Sequence, residues 1–347
     1  MKWKFIIPVI ILLSLTGGYA LKTYRDAGEF KTITPHFDGT KALITGVTGA
    51  EDITIDFRNQ IAYISSDDRF ATLHGHKTSG GIFTLDLKGT QTGVAHIALT
   101  LPGEIHPHGI SFYRSQDSLS YLYVVDHTGG KHSILKLKGF QFEKQFRDSV
   151  FIISPNDVLA VDENRFYFTN DHGSLSATGK KLEEFLQLKK SNVVYYDGEK
   201  YSIAAEGIAY ANGINMSTDG KEVYVASTIG GSVLVYARDV SSGKLSFKEE
   251  IRLQSGADNI EIDEQGNLWV ACHPKLLTFV KHANDTSKLS PSQVFKITHD
   301  SSGKFTAQEI FLSEGDDLSG SSVAAVTGNL LLIGSVLDEG ILQCRLK

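Results

Sequence analysis

Six times along the chain a short polar pair stands immediately before an apolar run: Glu51-Asp52, His108-Gly109, Asn156-Asp157, Asn212-Gly213, Asp258-Asn259 and Ser321-Ser322. Most of what these pairs offer is carboxylate or amide oxygen, the donor type of a hard cation. Neighbouring side chains on a strand point to opposite faces, so two stacked sets are expected. One set is Glu51, Asn156, Asn212, Asp258 and Asn259, the last two sharing a side only where a turn interrupts the strand. The other is Asp52 and Asp157, completed by backbone carbonyls. Two carboxylates with three amides balance a divalent charge and suit Ca²⁺ better than Mg²⁺, zinc or copper. A single Asp or Asn at a strand entrance serves turn chemistry equally well. Recurrence at one register is what favours a common site.

Histidines add a second kind of chemistry. His106-Pro107-His108-Gly109 opens one unit and His127 closes the next strand of the same unit, while His172 and His273 end the equivalent strands of others. A His beside a divalent cation and paired with a second His can act as a general base, and His108 with His127 is the best-placed couple. Asp126, adjacent on the strand, should face away from His127. No G-x-S-x-G elbow and no phosphate-binding glycine loop is present. Hydrolysis by a polarised carbonyl and an activated water is the chemistry this set supports best.

The elements that must position these residues repeat about every 50 residues. Each apolar run passes a turn into a second strand: IAYISS, SYLYVVDH, RFYFTNDH, EVYVAST, NLWVACH and LLLIGS. Several units continue into a third strand, as in Ser232-Val233-Leu234-Val235-Tyr236. Six such units predict an all-β, six-bladed β-propeller. We expect a leader over 1–21, a polar connector over 22–42 and the propeller over 43–347. One stretch, Gly179 to Lys190, reads as a short amphipathic helix with Leu182, Phe185 and Leu186 on one face. It is expected to pack on the rim, with a lid or membrane-interface helix as the alternative.

The 347 residues carry a net charge of −6 and no basic block, which excludes nucleic acid as a partner class. The two cysteines, Cys272 and Cys344, do not make a disulfide scaffold and form no zinc motif; one bridge or two free thiols remain open. A basic start, an apolar run from Phe5 to Leu15 and small residues at Gly18 and Ala20 fit a secretory signal or an uncleaved anchor. The protein is therefore expected outside the cytosol, periplasmic or extracellular, secreted or membrane-anchored.

The segments Gly49-Ala50-Glu51-Asp52, Pro107-His108-Gly109-Ile110-Ser111, Asn156-Asp157, Thr169-Asn170-Asp171-His172, Ala205-Glu206-Gly207, Ala211-Asn212-Gly213, Asp258-Asn259-Ile260 and Trp269-Val270-Ala271-Cys272-His273-Pro274 resemble the serum paraoxonase/arylesterase family. They run in family order from about residue 49 to the C-terminus. The resemblance implies a propeller with two axial calcium ions. The catalytic ion would be held by Glu51, Asn156, Asn212, Asp258 and Asn259, the structural one by Asp52, Asp157 and the carbonyl of Ile110. It implies a His108–His127 dyad and a pocket around Tyr210, His172, Asp171 and His273; Ser322, from its place in the sixth polar pair, is expected to line that pocket. It implies hydrolysis of lactones, aryl esters and, in some members, organophosphates, and a retained N-terminal segment. The chain departs from the family in lacking a cysteine before Cys272, in a shorter, more charged helix after His172, and in Asp126 where Asn is common. Other readings are a gluconolactonase or strictosidine-synthase type of propeller, or a non-enzymatic secreted propeller locked by calcium.

Overall fold

A computed structural model describes residues 3–89, 93–97, 99, 101, 103–300 and 302–347. Met1 and Lys2 of the basic start lie outside the described residues. The rest folds into six sheets arranged as blades, with inner strands Ala50–Asp56, Pro107–Arg114, Pro155–Ala160, Ala211–Met216, Gly256–Ile262 and Ser321–Thr327. The ring closes through the N-terminal segment. Gly39–Thr48 runs antiparallel to Glu339–Leu346 and supplies the outermost strand of blade 6. The stretch 22–42 is thus more than a connector: it carries the end of the first helix, the short strand His36–Phe37 on blade 5 and the start of this closing strand.

Hydrophobic packing lies between blades. Six buried clusters each join two neighbours, and alternate residues of one strand feed two of them. In blade 4, Val223 and Val225 pack toward blade 3, while Tyr224 and Ala226 pack toward blade 5. Both faces of each blade are therefore covered, which is why the strands read as nearly continuous apolar runs rather than a half-polar alternation. Cys272 and Cys344 are free and buried, in separate clusters.

Every inner strand is irregular at its polar pair. Register shifts fall between Ala50 and Asp52, Pro107 and Ile110, Pro155 and Val158, Ala211 and Ile214, Ala257 and Ile260, and Ser321 and Val323. In blade 5, Asp258 and Asn259 together oppose only Ala271. These are β-bulges, in which two residues face one, the strand bends and side chains are re-aimed. The interruption between Ala257 and Ile260 is a bulge and not a turn, and it relaxes strict alternation at Asp258 and Asn259. Gly109 is needed beside it: a Cβ there would overlap the Asp157 carboxylate of blade 3 and come within 2.5 Å of its Cα.

Four helices decorate the ring: α1 (Trp3–Asp26), α2 (Arg69–Leu73), α3 (Ala177–Phe185) and α4 (Leu276–Asn284). Among the described residues no helix is long and apolar enough to cross a membrane. α4 has no side-chain cap of its own. Glu29 supplies one, accepting from the Thr278 N–H at 3.0 Å and from its hydroxyl at 2.9 Å. A carboxylate at that end also complements the helix dipole. α3 differs from expectation: it is shorter, and Leu182, Phe185 and Leu186 are exposed while Glu183 is buried. The reason is electrostatic. Glu183 accepts from the Gly173 N–H at 2.9 Å and Glu184 meets His172 at 3.0 Å, so the acidic face docks on blade 3 and the apolar face is left outward. Tyr19 of α1 donates to the Phe185 carbonyl at 3.2 Å.

Candidate active site

Glu51, Asn156, Asn212, Asp258 and Asn259 stand at the bulges of the inner strands of blades 1, 3, 4 and 5, all nearly inaccessible to solvent. For two of the amides, hydrogen bonds fix which atom is spent and which is left. Asn259 Nδ2 donates to the Glu51 carbonyl at 3.1 Å and to Glu51 Oε1 at 2.9 Å. Asn212 Nδ2 donates at 3.1 Å to Thr228 Oγ1, whose own proton goes to the Ala257 carbonyl. Their amide oxygens are left over. Glu51 Oε2 and the Oδ1 atoms of Asn156, Asn212 and Asn259 are all buried without a hydrogen-bond partner. Four orphaned oxygens from four blades would each carry a desolvation cost of about 1–3 kcal/mol if nothing met them. A hard cation is one partner that would satisfy them together. Among the described residues no cluster of three or more His, Cys, Asp or Glu forms a metal site; three of the four orphaned oxygens belong to amides, which such a cluster does not count.

Asp52 and Asp157 behave differently. Asp52 accepts from the N–H of Ile53 at 2.8 Å and of Ile110 at 2.7 Å; Asp157 accepts from Val158 and Ile214, both at 2.7 Å. Each carboxylate clasps its own strand to the next blade. It is the N–H of Ile110, not its carbonyl, that meets Asp52. Burial first, then the neighbouring Glu51 charge, pushes the Asp52 carboxyl well above its ordinary range, and burial and then Asp52 do the same to Asp157. Carboxylates that repel one another in a dry site gain from a shared cation.

His108 Nε2 faces Glu51 Oε1 at 3.3 Å, and its Nδ1 lies 2.9 Å from His127 Nε2. Burial raises the Glu51 carboxyl, but His108, Arg69 and Asn259 outweigh it and hold it below its ordinary value. Burial, then His108 and His132, drives the His127 ring well below the usual histidine range. Asp126 does turn away: it accepts from the His106 N–H at 3.0 Å and the Thr128 hydroxyl at 2.6 Å.

Two further histidines flank the site. His273 Nε2 meets Asp258 Oδ2 at 2.8 Å and its ring stacks on Phe279 of α4, centroids 3.9 Å apart. His172 sits between Asp171 Oδ1 at 2.6 Å and Glu184 Oε1 at 3.0 Å, with the Tyr210 ring edge-on at 5.0 Å. Burial lowers it, but the two carboxylates outweigh that and raise it to about 9. Tyr210 is held at φ +61, a strained backbone for a bulky residue, beside the site. Ser322 has no exposed surface; its hydroxyl donates to the Glu51 carbonyl at 2.7 Å and so supports the ring rather than lining a pocket.

Sequence reasoning missed three contributors. Arg69 of α2 donates to the Pro107 carbonyl at 2.9 Å and brings its guanidinium 3.9 Å from Glu51. Phe279 comes from a helix with no motif signal. His132 lies 2.8 Å from His127, Nδ1 to Nδ1; its spacing of five residues across Gly129 and Gly130 was the available cue.

Similarity to known proteins bears on this arrangement. A family profile described as Arylesterase matches residues 30–346. The serum paraoxonase/arylesterase 2 of Rattus norvegicus is 34% identical over 322 residues, 88% of each chain. Among solved structures, a luciferin-regenerating enzyme aligns with a TM-score of 0.55 at 14% identity, covering 88% of this chain and 95% of its own. A putative gluconolactonase aligns at 0.54 and 11%, covering 90% and 93%. At those identities the two structures share the fold alone.

Proposed function

The chain belongs to the arylesterase family, and from that premise we propose that it is a calcium-dependent hydrolase of aryl esters and lactones, with organophosphates as further substrates. The observation that carries the reading is the group of four orphaned oxygens of Glu51, Asn156, Asn212 and Asn259 beside a histidine pair. Two calcium ions are proposed. Glu51, Asn156, Asn212, Asp258 and Asn259 would hold one; Asp52, Asp157 and the Ile110 carbonyl would hold the other. When bound at the first set, calcium supplies polarisation of a carbonyl and compensation of developing negative charge.

The chain's own residues supply the rest. His108 takes a proton from water, with His127 hydrogen-bonded behind it to hold the ring. Asn259 and Ser322 fix Glu51 from its main-chain side. His273 holds Asp258 by its Oδ2, and Phe279 fixes His273. His172, Asp171 and Tyr210 form one wall of the pocket in which a small ester or lactone is bound. The apolar leader supports export from the cytosol, secreted or retained by the leader as an anchor. The outward Leu182, Phe185 and Leu186 beside α1 support contact with a membrane or lipid surface.

A panel of phenyl acetate, short- and long-chain lactones and paraoxon tests the reading, assayed before and after exhaustive chelation. Turnover that disappears with the chelator and returns with CaCl₂ is expected. Unchanged turnover after chelation removes the calcium role, and no turnover on any substrate removes the hydrolase.

A further inference from the structure

The His108–His127 pair does not end at His127. That ring commits both nitrogens to other imidazoles, Nε2 to His108 at 2.9 Å and Nδ1 to His132 at 2.8 Å, and the rings cross nearly perpendicular at 69° and 89°. Its own loop builds this geometry. His127 precedes the short turn Thr128–Gly130, where Gly129 and Gly130 take φ of +63 and +68, and Asp126 ties both ends by accepting from Thr128 and Ser133. The left-handed pair, which favours glycine, folds residue 132 back onto 127.

Resting on the hydrolytic reading above, we infer that His132 is a positioning residue of that reaction: it fixes the tautomer of His127, and through it that of His108, and receives the charge when His108 takes up a proton.

Each N···N contact holds one proton, so the three tautomers are set in series. For His108 Nε2 to carry a lone pair, its Nδ1–H must donate to His127 Nε2. His127 Nδ1–H must then donate to His132 Nδ1, leaving the second His132 proton on Nε2. When His108 Nε2 gains a proton from water, each N–H shifts one ring outward. His132 ends doubly protonated and the two inner rings stay neutral. When the leaving oxygen draws the proton back from His108 Nε2, every shift reverses. No proton, electron or further reactant is left over.

The surroundings favour this direction. Burial, His108, His132, Arg69 and Lys180 all disfavour charge on His127. His132 lies nearer solvent. The charged and titratable groups facing it are Lys180, Asp171, His108 and Asp126, and two of these are carboxylates. Burial and then Lys180 lower its pKa, so it rests neutral, and Asp171 and Asp126 offset part of that cost when it is protonated.

The test compares wild type with His132→Phe and His132→Ala on the calcium-loaded full chain. Readouts are kcat and KM on an aryl ester across pH 5–10, bound calcium per chain, thermal unfolding and added imidazole. The expected result is a kcat lower on the order of tenfold, KM and calcium content unchanged, a displaced pH profile, and recovery of His132→Ala by imidazole. Wild-type kcat and pH profile in both variants overturn the inference, as does a loss that follows unfolding and is not rescued by imidazole. The underlying reading fails distinguishably: wild type itself is then inactive, and the inference falls with it.

Discussion

Two layers of side chains come from the same bulges yet end in opposite states. In one, Glu51 Oε2 and the amide oxygens of Asn156, Asn212 and Asn259 are buried with no hydrogen-bond partner. In the other, Asp52 and Asp157 spend both oxygens on backbone N–H groups of two adjacent blades. Neighbours in sequence, Glu51 and Asp52 or Asn156 and Asp157, thus divide the work. One layer is left without hydrogen-bond partners; the other clasps the ring through one lone pair of each carboxylate oxygen and keeps the second for the ion proposed there. The lesson is that burial and oxygen content alone do not mark a binding site; unmet hydrogen-bonding capacity does.

The contrast is sharpest if each layer is damaged separately. Glu51→Gln removes an axial charge without stranding a backbone group. We expect loss of kcat/KM on the order of 10²–10³-fold, reduced bound calcium by atomic emission, and stability close to wild type without added calcium. Asp157→Ala strands the Val158 and Ile214 N–H groups and should cost ~2–4 kcal/mol by urea unfolding. A reversal of these two outcomes would break the division of labour.

A smaller effect concerns the mouth, where α3 repeats the contrast on one helix: its acidic side is bound and its apolar side is free. The folded-state pKa of His172 is raised to about 9, above the usual unfolded value near 6.5. The charged ring therefore contributes stability that is fully present below about pH 6.5 and lost as pH rises through about 9. His172→Gln should flatten the pH dependence of the unfolding midpoint in that window. The smallest effect is expected for Phe185→Ser, which exposes nothing new and should stay within about 0.5 kcal/mol of wild type. A larger loss would show that the outward face is packed after all.

The six repeats and the polar pairs were legible because each is local: an apolar run, a turn and a two-residue signal recur in one order. The ligand-rich positions could be read off the same register. Less was legible at the helix after His172, whose apolar stripe suggested docking by Leu182, Phe185 and Leu186. His172 and the Gly173 N–H instead draw Glu184 and Glu183 inward, and a short helix follows its charges when they have buried partners. Ser322 was read as pocket lining by position, but its hydroxyl is consumed by the Glu51 carbonyl across the ring closure.

By itself the sequence determined the blade count, the placing of carboxylate and amide oxygens at four of the six strand entrances, and the pairing of His108 with His127 in one hairpin, because these depend on spacing within a unit. Only the closed ring decided which oxygens stay unpaired. Asn259 reaches Glu51 from 208 residues away, and that contact frees one amide oxygen while committing its nitrogen. The bulges, the third histidine and the inward turn of α3 are tertiary outcomes of the same kind. Each is settled by which partner meets a buried polar group, and that partner lies on another turn, blade or helix.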